Sequence, residues 1–167
     1  MKIKDVMRKK IYTVSPEATL KEAVAELLKY EISGLIVVNE KNEVLGVVSE
    51  KDVYRTLYPT YEEFYNNPEI YIDFDVAEKE INHKAEILVK DFMTTNVVKV
   101  SPDEPVMKVG SLMLTRNIHR FPVVDENGQL VGVVSRGHIF RSLFKKYLKP
   151  EPLLKKLWLK SKKSGTK

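Results

Sequence analysis

Asp5-Val6-Met7 returns as Asp91-Phe92-Met93, Val14-Ser15-Pro16 as Val100-Ser101-Pro102, and Gly46-Val47-Val48-Ser49 as Gly132-Val133-Val134-Ser135, each time 86 residues later. The register holds without a gap from Lys4 to Leu57. So long a self-similarity at constant offset requires both copies to fold alike, and two copies are too few to stack as a solenoid. The expectation is a pseudo-twofold pair in which each copy buries a face against the other. The repeat also parses the chain into a first copy at 3–57, an insert at 58–88, a second copy at 89–147 and a tail at 148–167.

Each copy reads as strand, helix, strand, strand, helix, a mixed α/β unit of βαββα order. Ile11–Val14 predicts a short strand, and Ser15-Pro16 turns the chain. Thr19 with Glu22 has the spacing of a capping box, in which hydroxyl and carboxylate satisfy exposed amides at a helix start. Leu20, Ala23, Val24, Leu27 and Leu28 then form one apolar helical face, matched by Val106, Val109, Gly110, Met113 and Leu114. Leu35–Val38 and Val44–Val48 are too short for helices and rich in β-branched residues, so they predict buried strands. Their counterparts are Phe121–Val124 and Leu130–Val134, around the tight-turn pair Asn127-Gly128. Second helices are predicted near Lys51–Leu57 and Gly137–Tyr147.

With no cysteine, disulfides, zinc thiolates and thiol catalysis are excluded within this chain. No apolar run approaches a membrane span and the charged start Met1-Lys2-Ile3-Lys4-Asp5 lacks a signal-peptide core, so a cytoplasmic location is expected. The net charge of +5 is unevenly spread. Residues 145–167 hold nine lysines against Glu151 alone, and residues 59–88 hold eight acids against Lys79 and Lys84. Tyr58, Tyr61, Phe64, Tyr65, Tyr71 and Phe74 interleave with those acids, predicting a loop packed on the module by its aromatics or else a partner-docking surface, with a helix expected at Val76–Leu88. In the tail, Leu153, Leu154, Leu157 and Trp158 form an apolar stripe among lysines.

The Val-Ser-Pro entry, the His119-Arg120-Phe121-Pro122-Val123-Val124-Asp125 strand and the Gly46-Val47-Val48-Ser49-x-x-Asp52 strand-to-helix corner, set in repeated βαββα units, resemble CBS motifs over residues 3–57 and 89–144. Two in tandem make a Bateman module. The resemblance implies two clefts between the copies, of a kind that in many members binds adenosine derivatives such as AMP, ADP, ATP or S-adenosylmethionine as a regulatory ligand. Carried over by position, Ser49 and Asp52 match the family's ribose motif. A carboxylate offers acceptor oxygens to a ribose diol and sits favourably at a helix start, although Ser49 and Asp52 also suit simple capping. His119 and Arg120 correspond to the phosphate pair, where arginine forks onto two oxygens. Val98 and Lys99 correspond to the segment lining the base, and backbone atoms of Val47 and Val48 are expected to help read the adenine.

The mirror cleft departs from the pattern. His138 stands where the ribose carboxylate belongs in Ser135-Arg136-Gly137-His138, and Ser33-Gly34 replaces the His-Arg pair, so a degenerate second site is expected. Catalysis is not expected: His83, His119 and His138 lack metal-ligand spacing, and no nucleophile elbow, Walker loop or GxGxxG occurs. The functional expectation is a non-catalytic nucleotide sensor, with no metal or catalytic cofactor, that signals to an unidentified partner protein. It is expected to pair as a symmetric homodimer, as modules of the resembling family commonly do. The alternative is an interaction module with vestigial clefts whose basic amphipathic tail binds an anionic membrane or nucleic acid.

Overall fold

The computed structural model describes residues 1–58, 65–66 and 81–148. The tail stripe, the expected tail functions and most of the insert therefore lie outside the described residues. Of the helix expected at Val76–Leu88, residues 81–84 are described as helical.

A 3-10 turn at Ile3–Asp5 opens the chain. It is followed by β1 (Thr13–Val14), α1 (Leu20–Tyr30), β2 (Gly34–Val38), β3 (Val44–Ser49) and α2 (Glu50–Leu57). The second copy supplies α3 (Val89–Phe92), α4 (Val106–Thr115), β4 (Arg120–Val124), β5 (Leu130–Ser135) and α5 (Arg136–Tyr147). The capping box forms: Glu22 N–H donates to Thr19 Oγ1 at 3.2 Å, and Thr19 N–H donates to Glu22 Oε2 at 2.8 Å. Neighbouring donors thereby hold the Glu22 carboxyl below its usual range, the Thr19 amide foremost.

The repeat is reproduced down to backbone detail. The β2–β3 ladder runs from Gly34↔Ser49 to Val38↔Val44 with a bulge at Val37/Val38, and β4–β5 runs from Arg120↔Ser135 to Val124↔Leu130 with its bulge at Val123/Val124. Left-handed backbone also recurs, at Glu31 (φ 50°) and Asn117 (φ 51°), and at Asn42 (φ 60°) and Gly128 (φ 79°). Gly128 is the tip glycine of the predicted Asn-Gly turn, where its positive φ carries no steric penalty.

The sheets differ in one respect, and Pro122 is the cause. In the first copy Ile36 N–H donates to Tyr12 O at 3.1 Å, extending the pairing of parallel β1 with β2. Its equivalent in the second copy is Pro122, which has no N–H to give. The corresponding first strand shrinks to a single bridge, Val100↔Val123. The first sheet has order β1-β2-β3 and the second is the β4-β5 pair.

Side-chain alternation assigns each sheet face. Leu35, Val37 and Val48 enter the core beneath α1, and Phe121, Val123 and Val134 enter the core beneath α4. The opposite faces meet: Ile36, Val44 and Leu130 are buried together, packed by Ile11, Val38, Val47, Val97, Val124 and Val133. The hairpin tips join there through Glu43↔Gln129, a residue paired with its own repeat equivalent and hence on the pseudo-twofold axis. Asn42 Nδ2 reinforces the contact by donating to Leu130 O at 3.0 Å.

The leading segment of each copy packs on the other copy. Ile3 and Val6 belong to the core under α4, whereas Val89, the equivalent of Ile3, belongs to the core under α1. Lys4 N–H donates to Pro102 O at 2.8 Å, and Lys90 N–H donates to Pro16 O at 3.0 Å. Exposed ion pairs echo the exchange: Lys2 and Lys4 each lie 2.8 Å from Asp103, and Lys90 lies 2.7 Å from Glu17. Hydrogen bonds and charge from Lys2 and Lys4 pull the Asp103 carboxyl down to about 2.

One expectation about the helices is corrected. Leu20, Ala23 and Leu27 are buried, but Leu28 is 73% exposed and its equivalent Leu114 is 69% exposed. The core-facing stripes of α1 and α4 are narrower than the sequence pattern suggests, because each helix covers a small sheet and turns its remaining apolar positions outward.

Candidate functional site

Each β-strand-to-helix corner places a serine N-cap at the edge of the inter-copy interface. At the first corner the Asp52 carboxylate, only 6% exposed, turns back over the start of α2. Its Oδ2 accepts from Ser49 N–H at 2.8 Å and from Ser49 Oγ at 2.5 Å. Its Oδ1 accepts from Thr94 Oγ1, on the crossing segment of the second copy, at 3.0 Å. Thr94 is held there by a two-way backbone bridge with Val47, N–H to O at 3.0 and 2.9 Å. A carboxylate has about four acceptor positions, so Oδ1 retains one.

The corner opens into a cleft of about 650 Å³ lined by both copies. Val47, Val48, Ser49 and Asp52 of the first copy meet His119 and Arg120 of the second, as do Lys51, Arg55, Thr94 and Arg136. The strand pairing brings this about: Arg120 opens β4, and Arg136 N–H donates to His119 O at 3.0 Å, which sets His119 beside the start of α5. The Arg136 guanidinium also lies against both ring nitrogens of His119. Four permanent cations and one imidazole thus border a cleft whose described carboxylate is Asp52.

Other expected residues are placed differently. Val98 and Lys99 are not among the residues that line the cleft. Val98 packs against the core beneath α4, and Lys99 Nζ reaches across the interface to Val44 O at 2.8 Å. Among the described residues nothing donates to the Val98 carbonyl, because Pro122 replaces the donor found in the first copy. The Val47 N–H and C=O, expected to help read the adenine, both pair with Thr94. What Val47 presents is its isopropyl group, and Val48 is tied into the β2–β3 ladder opposite Leu35. Thr94, Arg55 and Arg136 escaped sequence reasoning. Thr94 was findable only by knowing that the leading segment crosses, because its repeat equivalent is the dissimilar Arg8.

The residues expected at the mirror cleft divide between two spaces. Ser33, Gly34 and Ser135 line the large cleft. Gly34 and Ser135 also line a smaller one of about 150 Å³, together with His138, Arg8, Lys10 and Arg120. The two spaces adjoin because Gly34 and Arg120 are repeat equivalents at the starts of β2 and β4. Ser135 Oγ accepts from His138 N–H at 3.2 Å, so this corner keeps its cap but carries no carboxylate. Burial holds the His138 imidazole below its usual pKa, aided by the positive charges of Arg8, Arg141 and Arg120, with the Val133 carbonyl opposing. No described helix is long and apolar enough to cross a membrane.

Known proteins share this architecture. An uncharacterised protein of Methanocaldococcus jannaschii, MJ1426, is 31% identical, with 86% of this chain aligned to 91% of that one. The crystal structure of CBSX2 of Arabidopsis thaliana in complex with AMP matches with a TM-score of 0.66 and 25% identity, over 86% of this chain and 96% of that chain. The CBS domain pair of MJ0100, in complex with 5′-methylthioadenosine and S-adenosyl-L-methionine, matches with a TM-score of 0.64 and 25% identity, over 87% and 98%. A family model of the CBS domain matches residues 3–58 and 89–145, both copies of the repeat. The chain belongs to the CBS-domain family and is built from two CBS domains folded as a pair.

Proposed function

We propose that the chain is a non-catalytic regulatory module that binds an adenosine nucleotide of the AMP, ADP or ATP class in the large cleft and signals its occupancy to a partner protein. The observation that carries this reading is the convergence of Asp52 from one copy with His119, Arg120 and Arg136 from the other on one 650 Å³ space. That size lies within the range of about 300–1,000 Å³ common to small-molecule pockets. The remaining Oδ1 position of Asp52 takes one ribose hydroxyl, and the Ser49 and Thr94 hydroxyls can rotate to meet the other. The three side chains at the β4 and α5 starts hold the phosphates through charge-assisted bonds. The Val47 side chain, which lines the cleft, is the group proposed to face the adenine. The adenosine ligands in the CBSX2 and MJ0100 structures support the ligand class.

Calorimetric titration with AMP, ADP, ATP, S-adenosylmethionine and NAD tests the reading. We expect one tight adenosine-nucleotide site per chain, because the smaller cleft lacks the carboxylate. Two equal tight sites would show that His138 is no obstacle, and absence of binding by every ligand would overturn the sensor reading.

A further inference from the structure

The smaller cleft carries a chemistry of its own. Arg8 and Lys10 come from the leading segment that crosses to the second copy, Arg120 from the start of β4, and Ser135 and His138 from the start of α5. Arg141 stands one turn beyond His138, near enough to depress its protonation. No carboxylate is among the lining residues, and none of these four cations forms an ion pair with a described acid. A cluster of like charges left unneutralised is unfavourable unless a counter-charge occupies it. At about 150 Å³ the space is well below the usual size of a nucleotide-sized pocket. The start of the 12-residue helix α5 borders the same place through Ser135 and His138, while the Arg136 and His138 amides are taken by His119 O and Ser135 Oγ. His138 Nδ1 is buried and has no hydrogen-bond partner among the described residues, a deficit that a bound ion or water can relieve.

We propose that this cleft is a binding site for a free phosphate-class oxyanion, inorganic phosphate or pyrophosphate, gripped by Arg8, Lys10 and Arg120 with His138 as a further donor. Replacement of the carboxylate by His138 is then a change of ligand: a diol acceptor has given way to an anion donor. Arg120 lines both clefts. An anion in the small cleft and a nucleotide in the large one therefore draw on the same guanidinium, and whatever one does to the affinity of the other is returned by the same factor. The residues assigned to the anion stand whether or not the large cleft takes a nucleotide.

The test is calorimetric titration of the full chain with inorganic phosphate and with pyrophosphate in low-chloride buffer, repeated on R8Q and H138A. Arg8 and His138 do not line the large cleft, so both variants should bind AMP as the parent does while losing phosphate or pyrophosphate affinity tenfold or more. Thermal melting checks that each is folded. The parent's response to AMP, measured alongside, distinguishes an anion held in its own cleft from a nucleotide's phosphate. Failure of both anions to bind at millimolar concentration would overturn the proposal. So would unchanged binding by R8Q and H138A, or a loss produced by R136Q and not by R8Q, which would place the anion in the large cleft.

Discussion

At Asp52, three protein donors already occupy the carboxylate, so any substitution there disturbs the corner as well as a ligand. Asp52→Asn keeps the shape and replaces an acceptor by a donor. It should weaken nucleotide binding by roughly 10- to 150-fold, about 1.5–3 kcal/mol for a charge-assisted bond, with a smaller loss of melting temperature. Thr94→Val leaves the carboxylate in place but removes its partner from the second copy, and should cost only a few-fold in affinity. Calorimetry and melting curves on both variants check this ordering; an Asp52→Asn protein binding as tightly as the parent would remove Asp52 from the ribose role. His138 gives a pH signature. Its folded-state pKa lies below the unfolded 6.5, so the unfolded chain takes the proton first as the pH falls. The stability it contributes is whole above pH 6.5 and is lost as the pH falls through the folded value. The groups acting on it are Arg8, Arg120 and Arg141, with the Val133 carbonyl opposing. Melting at pH 7.5 and 5.5 should show a larger drop for the parent than for His138→Gln.

The leading segments explain why two equivalent glycines are unequal. A Cβ on Gly46 would stand 2.7 Å from Met93 Sδ and 2.9 Å from the Thr94 carbonyl oxygen, whereas on Gly132 it would stand 2.6 Å from Met7 Sδ and 3.3 Å from the Arg8 oxygen. A thioether can move aside; the Thr94 backbone cannot do so without disturbing Val47 and Asp52. Gly46→Ala should therefore cost about 1–3 kcal/mol of stability, as overpacking does, and weaken nucleotide binding too. Gly132→Ala should cost less and spare the large cleft. Denaturant unfolding with calorimetry on the pair decides it. The same segments mark the limit of what the sequence revealed. Hairpins, helices and the Thr19 cap were legible because period and turn chemistry are local. The crossing of Ile3 and Val89 was not, since each could satisfy either core and the repeat makes the two arrangements identical in pattern. Asp52, His119 and Arg120 were legible from their motif context. Thr94 and Arg136 were not, for they enter the cleft through strand pairing.

Over the whole molecule, the exposed apolar residues recur with the repeat: Leu28 with Leu114, Tyr54 with Phe140, and Tyr58 with Phe144. Each copy thus turns an apolar helical edge outward. We propose that two modules pair through these edges as a symmetric homodimer, whose interface should depend on burial far more than on charge. Light scattering should show a dimer at low and high salt, reduced to monomer by Leu28→Glu with Phe140→Glu. A monomeric parent would refute the pairing. Truncation after Pro150 tests the tail separately: lowered melting or weaker dimerisation would mean that the Leu153–Trp158 stripe docks, and an unchanged protein would favour its binding elsewhere.

The exchanged leading segments bear on a different property, the response to dilution. Each half is completed by a strand of chain that the other half supplies. Because the covalent connection fixes how near those pieces stay, they meet at a constant effective concentration. Thinning the solution would part any pair of modules, while the two halves of one module stay together.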